Sequence, residues 1–173
     1  MNAAERVLRE RAAALARPTQ TARPTDAVVE LVEFMLAEER YAVSATALVE
    51  VQPLRELTEL PGLPAFWRGL TYLRGRLLPV LDLRALFELP PLGLTASAQL
   101  LVLRGAGLEV GLLADRLVDA YPQSCSALQR GLPSLAGICA DYLLGVSSDG
   151  LAVLDVERLL GDRRLRSEDE VNP

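Results

Sequence analysis

Residues 72–87 read YLRGRLLPVLDLRALF, and residues 142–160 read YLLGVSSDGLAVLDVERLL. Each stretch contains an apolar strand, a turn, a returning strand and an aspartate, Asp82 or Asp155, ahead of a short helical pattern. Such an aspartate accepts hydrogen bonds from the free amides of the following helix, so both are predicted to be helix N-caps. The second copy has three extra residues between its tyrosine and its aspartate, which we assign to a longer turn. A duplicated unit predicts two subdomains that pack against each other.

The rest of the chain adds more strand patterns. Apolar runs that read as strands or hairpins occur at residues 27–36, 41–51, 99–103, 108–114 and 146–153. Turn sequences separate or interrupt them: AEER at 37–40, RGAG at 104–107 and SDG at 148–150. In the first run both alternating faces are mostly apolar, with Glu30 on one face and Glu33 on the other. Neither face is cleanly polar, so we expect this strand to lie between two packed layers. Many short strands of this kind predict an all-β fold of the sandwich or barrel type.

Three regions are expected along the chain. An apolar stripe predicts a helix over Ala3–Ala16, and the proline- and threonine-rich segment that follows has the composition of a linker. Residues 1–24 carry five arginines and two glutamates, so this region is basic. We therefore divide the chain into an N-terminal helix and linker at 1–26, a folded domain at 27–161 and a polar acidic tail at 162–173.

The composition excludes much of enzyme chemistry. All 18 basic residues are arginine, and the chain has no lysine and no histidine. It therefore lacks the commonest general base, the commonest metal ligand and any residue able to form a Schiff base, so we expect no cofactor and no metal site. A hydrolase that uses two carboxylates stays open as an alternative, although one tryptophan and 5% aromatic residues are a poor supply of sugar-stacking surfaces. The net charge of −5 argues against nucleic-acid binding.

Export and membrane insertion are not expected. The longest uncharged stretch, Leu89–Leu103, contains two prolines and is shorter than the ~20 residues that a spanning helix needs. The charged N-terminus does not resemble a secretory signal. Cys125 and Cys139 are accordingly interpreted as free thiols, with a disulfide as the alternative. These features predict a cytoplasmic protein.

Residues 64–84, PAFWRGLTYLRGRLLPVLDLR, closely resemble the signature stretch of CheW-like domains, and the likeness extends over about Val28–Leu160. The resemblance implies two intertwined five-stranded β-barrels with short helices. It also implies a non-enzymatic adaptor that bridges the cytoplasmic tip helices of chemoreceptors, the methyl-accepting chemotaxis proteins, to the regulatory domain of the histidine kinase CheA. Such a protein would lie at membrane-associated receptor arrays, where it could also self-associate. An adaptor of a non-flagellar pathway, governing pili or gene expression, is the alternative.

The resemblance also implies site residues. The receptor-binding groove would be formed by Leu48, Gly69, Leu70, Leu73, Arg74 and Gly75. Glu50 would pair with Arg74. That ion pair could serve receptor binding, or it could serve only to hold two strands together. The apolar groove residues could instead be ordinary core, as could Phe66 and Trp67. Tyr72 departs from the family, which usually has asparagine there, and Leu144 takes the place of Arg74 in the second copy of the repeat as we align it.

Overall fold

The computed structural model describes residues 26–90, 97–131 and 138–166, with the backbone alone for residues 138 and 139. The expected N-terminal helix, most of the linker and residues 167–173 of the expected tail lie outside this part. The described strands are β1 (Val28–Leu36), β2 (Glu39–Ser44), β3 (Leu48–Pro53), β4 (Trp67–Leu73), β5 (Arg76–Leu81), β6 (Gln99–Gly105), β7 (Leu108–Ala114), β8 (Arg116–Ser124), β9 (Leu143–Val146) and β10 (Ala152–Leu154). Two short helices follow β5 and β10: α1 (Leu83–Leu86) and α2 (Val156–Gly161).

The strands form two five-stranded sheets, and the chain passes from one to the other and back. Sheet 1 has the order β8-β1-β2-β10-β9, and sheet 2 has the order β3-β6-β7-β5-β4. The chain thus builds β1 and β2 of sheet 1, then all of sheet 2, and returns to complete sheet 1 with β8, β9 and β10. This arrangement confirms the expected all-β fold of two intertwined halves.

Each sheet is closed by the segment that follows one of its edge strands. After β3 the chain crosses to the opposite edge, where Thr58 and Leu70 of β4 exchange backbone hydrogen bonds of 2.8 and 2.9 Å. After β8 it does the same in sheet 1, where Gln129 pairs with Val146 of β9. Because each sheet is joined edge to edge in this way, both are barrels, and few of their strand edges stay open.

Three groups of buried side chains hold the barrels together. A small cluster fills the inside of sheet 1, around Leu31 and Val153, and another fills sheet 2, around Leu78 and Val102. The largest cluster lies between the two sheets and includes side chains from both helices. Each barrel alone would expose that shared layer, so the two halves depend on each other for burial of apolar area.

The run at 41–51, interpreted above as a strand, is two strands in different sheets. Residues 45–47 turn the chain, so that Glu39–Ser44 joins sheet 1 and Leu48–Pro53 joins sheet 2. The interpretation was wrong because small residues with moderate strand propensity, SATA at 44–47, do not mark a turn as glycine or proline does.

Our alignment of the repeat was also wrong in its first element. Asp82 and Asp155 donate their backbone N–H groups to the carbonyl oxygens of Phe66 (2.8 Å) and Tyr142 (2.7 Å), respectively. Residues 66–69 are therefore the structural counterpart of residues 142–145, and Arg68, not Arg74, corresponds to Leu144. The pairing of the strands decides which residues of the two copies are equivalent. The Tyr-Leu-x-Gly sequence that both copies contain does not.

With this corrected alignment, the longer hairpin turn belongs to the other copy of the repeat. Eight residues separate Leu70 from its partner Pro79, whereas five separate Val146 from its partner Ala152. The first copy thus has the longer hairpin, by three residues, and not the second copy as expected. The tip that bears Arg74 is the additional part, so it has no equivalent in the other barrel.

The packed region continues past residue 161, where we expected the tail to begin. Leu165 is buried in the shared core, and Asp162 accepts the backbone N–H of Arg164 at 2.7 Å. Cys125 is a half-buried free cysteine, and the side chain of Cys139 lies outside the described part.

Candidate functional site

Arg74 lies at the tip of the β4–β5 hairpin. Leu73 pairs with Arg76, so the turn has two central residues, and both have positive φ: 45° at Arg74 and 85° at Gly75. This is the geometry of a type I′ turn, which matches the twist of the flanking strands. The turn leaves the Arg74 side chain 77% exposed.

The Arg74 guanidinium contacts Glu50 of β3. Arg74 Nη2 lies 2.6 Å from Glu50 Oε2, and the Glu50 side chain is only 19% exposed. Because β3 and β4 are opposite edges of sheet 2, this ion pair spans the mouth of the second barrel. The pair presents a mostly exposed cation held in place by a mostly covered anion.

Two further arginines lie at the same end of the barrel. Glu109 of β7 accepts from Arg104 of β6 at 2.9 Å and also pairs with Arg76 of β5. Partial burial raises the pKa of Glu109, but hydrogen bonds from Arg104 and Arg76 outweigh it, and the net pKa is lowered. Arg74, Arg76 and Arg104, which we call the arginine rim, thus face two carboxylates, Glu50 and Glu109.

An apolar cavity of about 250 Å³ opens on the outer face of sheet 2. Its walls come from the barrel, from the loop before β4 and from the end of the described chain. Glu109 is the one charged residue among them, and the others are Leu60, Leu63, Trp67, Gly69, Leu70, Pro79, Leu108, Val110 and Leu165. Leu70 and Pro79 are cross-strand partners, so they form one row of this face. The next row, Tyr72 and Leu77, is 66% and 64% exposed and extends the apolar face toward the hairpin tip.

The residues expected to form one groove are found in three places. Arg74, Gly75 and Glu50 lie at the barrel mouth, and Leu70 lines the cavity. Leu73 points to the opposite face of β4 and is buried inside the second barrel. Leu48 is partly buried where β3 begins and packs against the shared core.

A contact within the chain itself requires glycine at position 69. Its φ is +135°, and a Cβ built there would lie 2.0 Å from the carbonyl oxygen of Thr58, the residue that closes the barrel. Gly145 is its counterpart in the first barrel, where a Cβ would lie 3.0 Å from the Gln129 oxygen. The close approach at Gly69 is thus made by the chain itself.

Asp82 and Asp155 cap α1 and α2. Asp82 Oδ1 accepts the Arg84 N–H at 3.0 Å, and Asp155 Oδ1 accepts the Arg158 N–H at 3.1 Å. The helices follow strands of different sheets, so the two carboxylates are engaged separately, each as the cap of its own helix. Within residues 26–90, 97–131 and 138–166, no cluster of potential metal ligands occurs.

Sequence reasoning missed most of the cavity wall. Leu60 and Leu63 flank a Pro-Gly turn, which indicates a loop and says nothing about where its leucines pack. Leu165 comes from the expected tail. The alternation of β5 did carry a usable signal, because Leu77 and Pro79 share a face opposite to Leu78 and Val80. Among the described helices, none has the length and apolar composition to cross a bilayer.

Comparisons with known proteins agree with this architecture. The family model of the CheW-like domain matches residues 30–164. Chemotaxis protein CheW of Treponema pallidum (strain Nichols) is 27% identical over 82% of this chain and 87% of its own length. Chemotaxis protein CheW of Bacillus subtilis (strain 168) is 29% identical over 76% of this chain and 86% of its own.

A solved structure has the same fold. The scaffolding protein TtCheW from Thermoanaerobacter tengcongensis superposes with a TM-score of 0.71, at 23% identity, over 80% of this chain and 96% of its own. The match of the family model covers both barrels and α1 and α2. The chain therefore belongs to the CheW-like domain family.

Proposed function

We propose that this protein is a non-enzymatic adaptor that couples chemoreceptors to the histidine kinase CheA at membrane-associated arrays. The proposal is supported by family membership, together with a chain that contains no histidine and no lysine. The names of the relatives favour chemotaxis over a non-flagellar pathway. In this role residues 27–161 form the coupling domain, and residues 1–26 are an appendage to it.

The Arg74–Glu50 ion pair is the observation that most supports receptor binding. An arginine that is 77% exposed yet held at 2.6 Å by a covered carboxylate is preorganised, so little side-chain entropy remains to be lost on binding. The apolar face that runs from Tyr72 and Leu77 to the cavity suits one side of an amphipathic helix. Receptor tips present helices, so the two features together form the proposed receptor surface.

The kinase would bind elsewhere on the second barrel. Val49 and Val51 of the edge strand β3 are exposed and point away from the barrel interior, whereas the side chain of Glu50, which lies between them in sequence, turns toward Arg74. An edge strand with apolar side chains can associate with another barrel of the same fold. Two separate surfaces are what an adaptor requires, because both partners must be bound at once.

Charge reversal at Arg74 tests the receptor surface. We expect Arg74→Glu to weaken co-sedimentation with receptor-containing membranes about tenfold, equivalent to roughly 1.4 kcal/mol, because two carboxylates would face each other at the barrel mouth. Folding should be little affected, since exposed ion pairs contribute less than about 1 kcal/mol. Arg116→Glu, an exposed position on β8 of the other barrel, is the matched control and should bind as the wild type does. Equal binding by both variants would refute the receptor surface.

A further inference from the structure

The charged side chains at the mouth of the second barrel follow one another in strand order. Sheet 2 has the order β3-β6-β7-β5-β4, and the mouth carries, in that order, Glu50, Arg104, Glu109, Arg76 and, in the β4–β5 turn, Arg74. Arg104 and Glu109 are direct cross-strand partners. Because Arg74 of the last hairpin contacts Glu50 of the first strand, the order closes on itself as a ring.

Carboxylates and guanidinium groups alternate around this ring except at one place. Glu109 lies between Arg104 and Arg76 and contacts both. Glu50 contacts Arg74 at the far end of the order. Among the residues that the structure describes, no carboxylate contacts both Arg74 and Arg76. The ring therefore has one arginine more than it has carboxylates, and the excess positive charge lies beside the hairpin tip.

The two arginines at this place are more open to solvent than the carboxylates that they contact. Arg74 and Arg76 are 77% and 51% exposed, whereas their carboxylate partners are 19% and 14% exposed. One partner does not exhaust a guanidinium, which carries five N–H donors. Two further charged residues, Glu157 and Arg166, bind the backbone of Ala106 in the neighbouring turn and offset each other. A protein that approaches the mouth therefore meets unneutralised guanidinium groups first.

Glu109 shows how a carboxylate binds two guanidinium groups at this mouth. Its Oε2 atom lies 2.9 Å from Arg104 Nη2, and its Oε1 atom contacts Arg76. Hydrogen bonds between ionised groups are about twice as strong as those between neutral groups. A carboxylate from another molecule, placed between Arg74 and Arg76, would be bound from two sides in the same way.

We propose that the receptor helix presents an aspartate or glutamate side chain whose carboxylate binds between Arg74 and Arg76. This contact completes the ring and makes Arg76 a second residue that selects the partner. Tyr72 and Leu77, the exposed apolar row behind the hairpin tip, then face an apolar side chain about one helical turn from the acid. The inference rests on the proposed adaptor function, because it names the chemistry that the receptor surface recognises.

Replacement of Arg76 tests the contact. Arg76→Gln leaves Glu109 paired with Arg104, so the unfolding transition in urea should be unchanged. Co-sedimentation with receptor-containing membranes at low salt should weaken about tenfold, because a charge-assisted hydrogen bond is lost. Arg76→Lys keeps the charge without the planar fork and should weaken it only about threefold. At about 1 M salt, where the Debye length is about 3 Å, Arg76→Gln should differ from the wild type by about twofold at most.

Glu109→Gln distinguishes partner recognition from a purely structural role. If Arg76 only held Glu109 in place, the loss of either residue would weaken receptor binding to the same degree. Since Arg76 binds the partner instead, Glu109→Gln releases its guanidinium and should strengthen co-sedimentation about threefold. Arg116→Gln, at an exposed position on β8 of the other barrel, is the matched control and should sediment as the wild type does.

The outcomes separate this inference from the function on which it rests. Wild-type sedimentation that Arg76→Gln leaves unchanged would overturn the inference and leave the adaptor function standing. Equal weakening by Arg76→Gln and Glu109→Gln would overturn it as well, because the pair would then act only as a brace. Failure of the wild type itself to sediment with the membranes would instead refute the proposed function.

Discussion

At the scale of single residues, the barrel closures depend on glycine. The Thr58 carbonyl oxygen occupies the position that a Cβ of Gly69 would need, and the φ of +135° is itself unfavourable for other residues. A glycine in a strand often indicates a close backbone approach. The sequence could indicate that approach, but it could not tell whether a partner or the chain itself makes it.

Alanine at this position gives the first stability prediction. We expect Gly69→Ala to lower the free energy of unfolding by about 3 kcal/mol or more, because either the Thr58–Leu70 bridge or the strand must shift. The control is Gly62→Ala, at φ +83° with no atom within 4 Å of the added Cβ, which should cost about 1 kcal/mol from backbone strain alone. Urea unfolding measures both, and equal losses would show that the closure at Thr58 contributes nothing.

Buried charge is where residue-level prediction failed. Glu33 is 3% exposed and accepts hydrogen bonds from Arg40 at 2.6 Å and from the Tyr121 hydroxyl at 2.7 Å. Burial raises the pKa of Tyr121 to about 12, with the hydrogen bond to Glu33 adding to it. Alternation predicted a strand covered on both faces, but Tyr121 is 88 residues away in sequence, so no local pattern could identify it as the partner.

At the scale of elements, α2 is held by a polar contact at its end. Asp162 follows the helix and accepts hydrogen bonds from the Tyr142 hydroxyl and from Arg164. Burial raises the pKa of Asp162, but these hydrogen bonds outweigh it and lower the pKa from 3.8 to about 2. The carboxylate therefore stabilises the fold above pH 3.8, and this contribution is lost as pH falls toward 2.

The pH dependence of unfolding tests this contact. Between pH 4 and pH 2 the wild type should lose about 2 kcal/mol more than Asp162→Asn, which has no proton to bind there. Asp119→Asn, at an exposed position on β8, is the matched control and should follow the wild type. Parallel pH curves for wild type and Asp162→Asn would contradict the role assigned to this carboxylate.

The errors of sequence interpretation at this scale share one cause. The helix caps at Asp82 and Asp155 follow from local chemistry and lie where expected, while the turn within 41–51 and the register of the repeat depend on pairing with distant strands. A shift of register moves every side chain to a different partner, so Leu144 was compared with Arg74 when its structural counterpart is Arg68.

At the scale of the whole molecule, duplication and family resemblance predicted the architecture correctly, with ten strands in two five-stranded sheets across the described residues. The candidate site was harder to predict from the sequence, because a groove is made by elements that are far apart in the chain. Leu60, Leu108 and Leu165 meet at one cavity although more than 100 residues separate the first from the last. Only the three-dimensional fold brings them together.

In the proposed function, one chain holds receptor and kinase at the same time. The most direct measurement is the amount of CheA that sediments with receptor-containing membranes, with and without this protein. We predict that kinase recovery rises when the wild type is added and does not rise with Arg74→Glu, although that variant still binds the kinase in solution. Kinase recovery that is the same in the presence and absence of the protein would contradict the account.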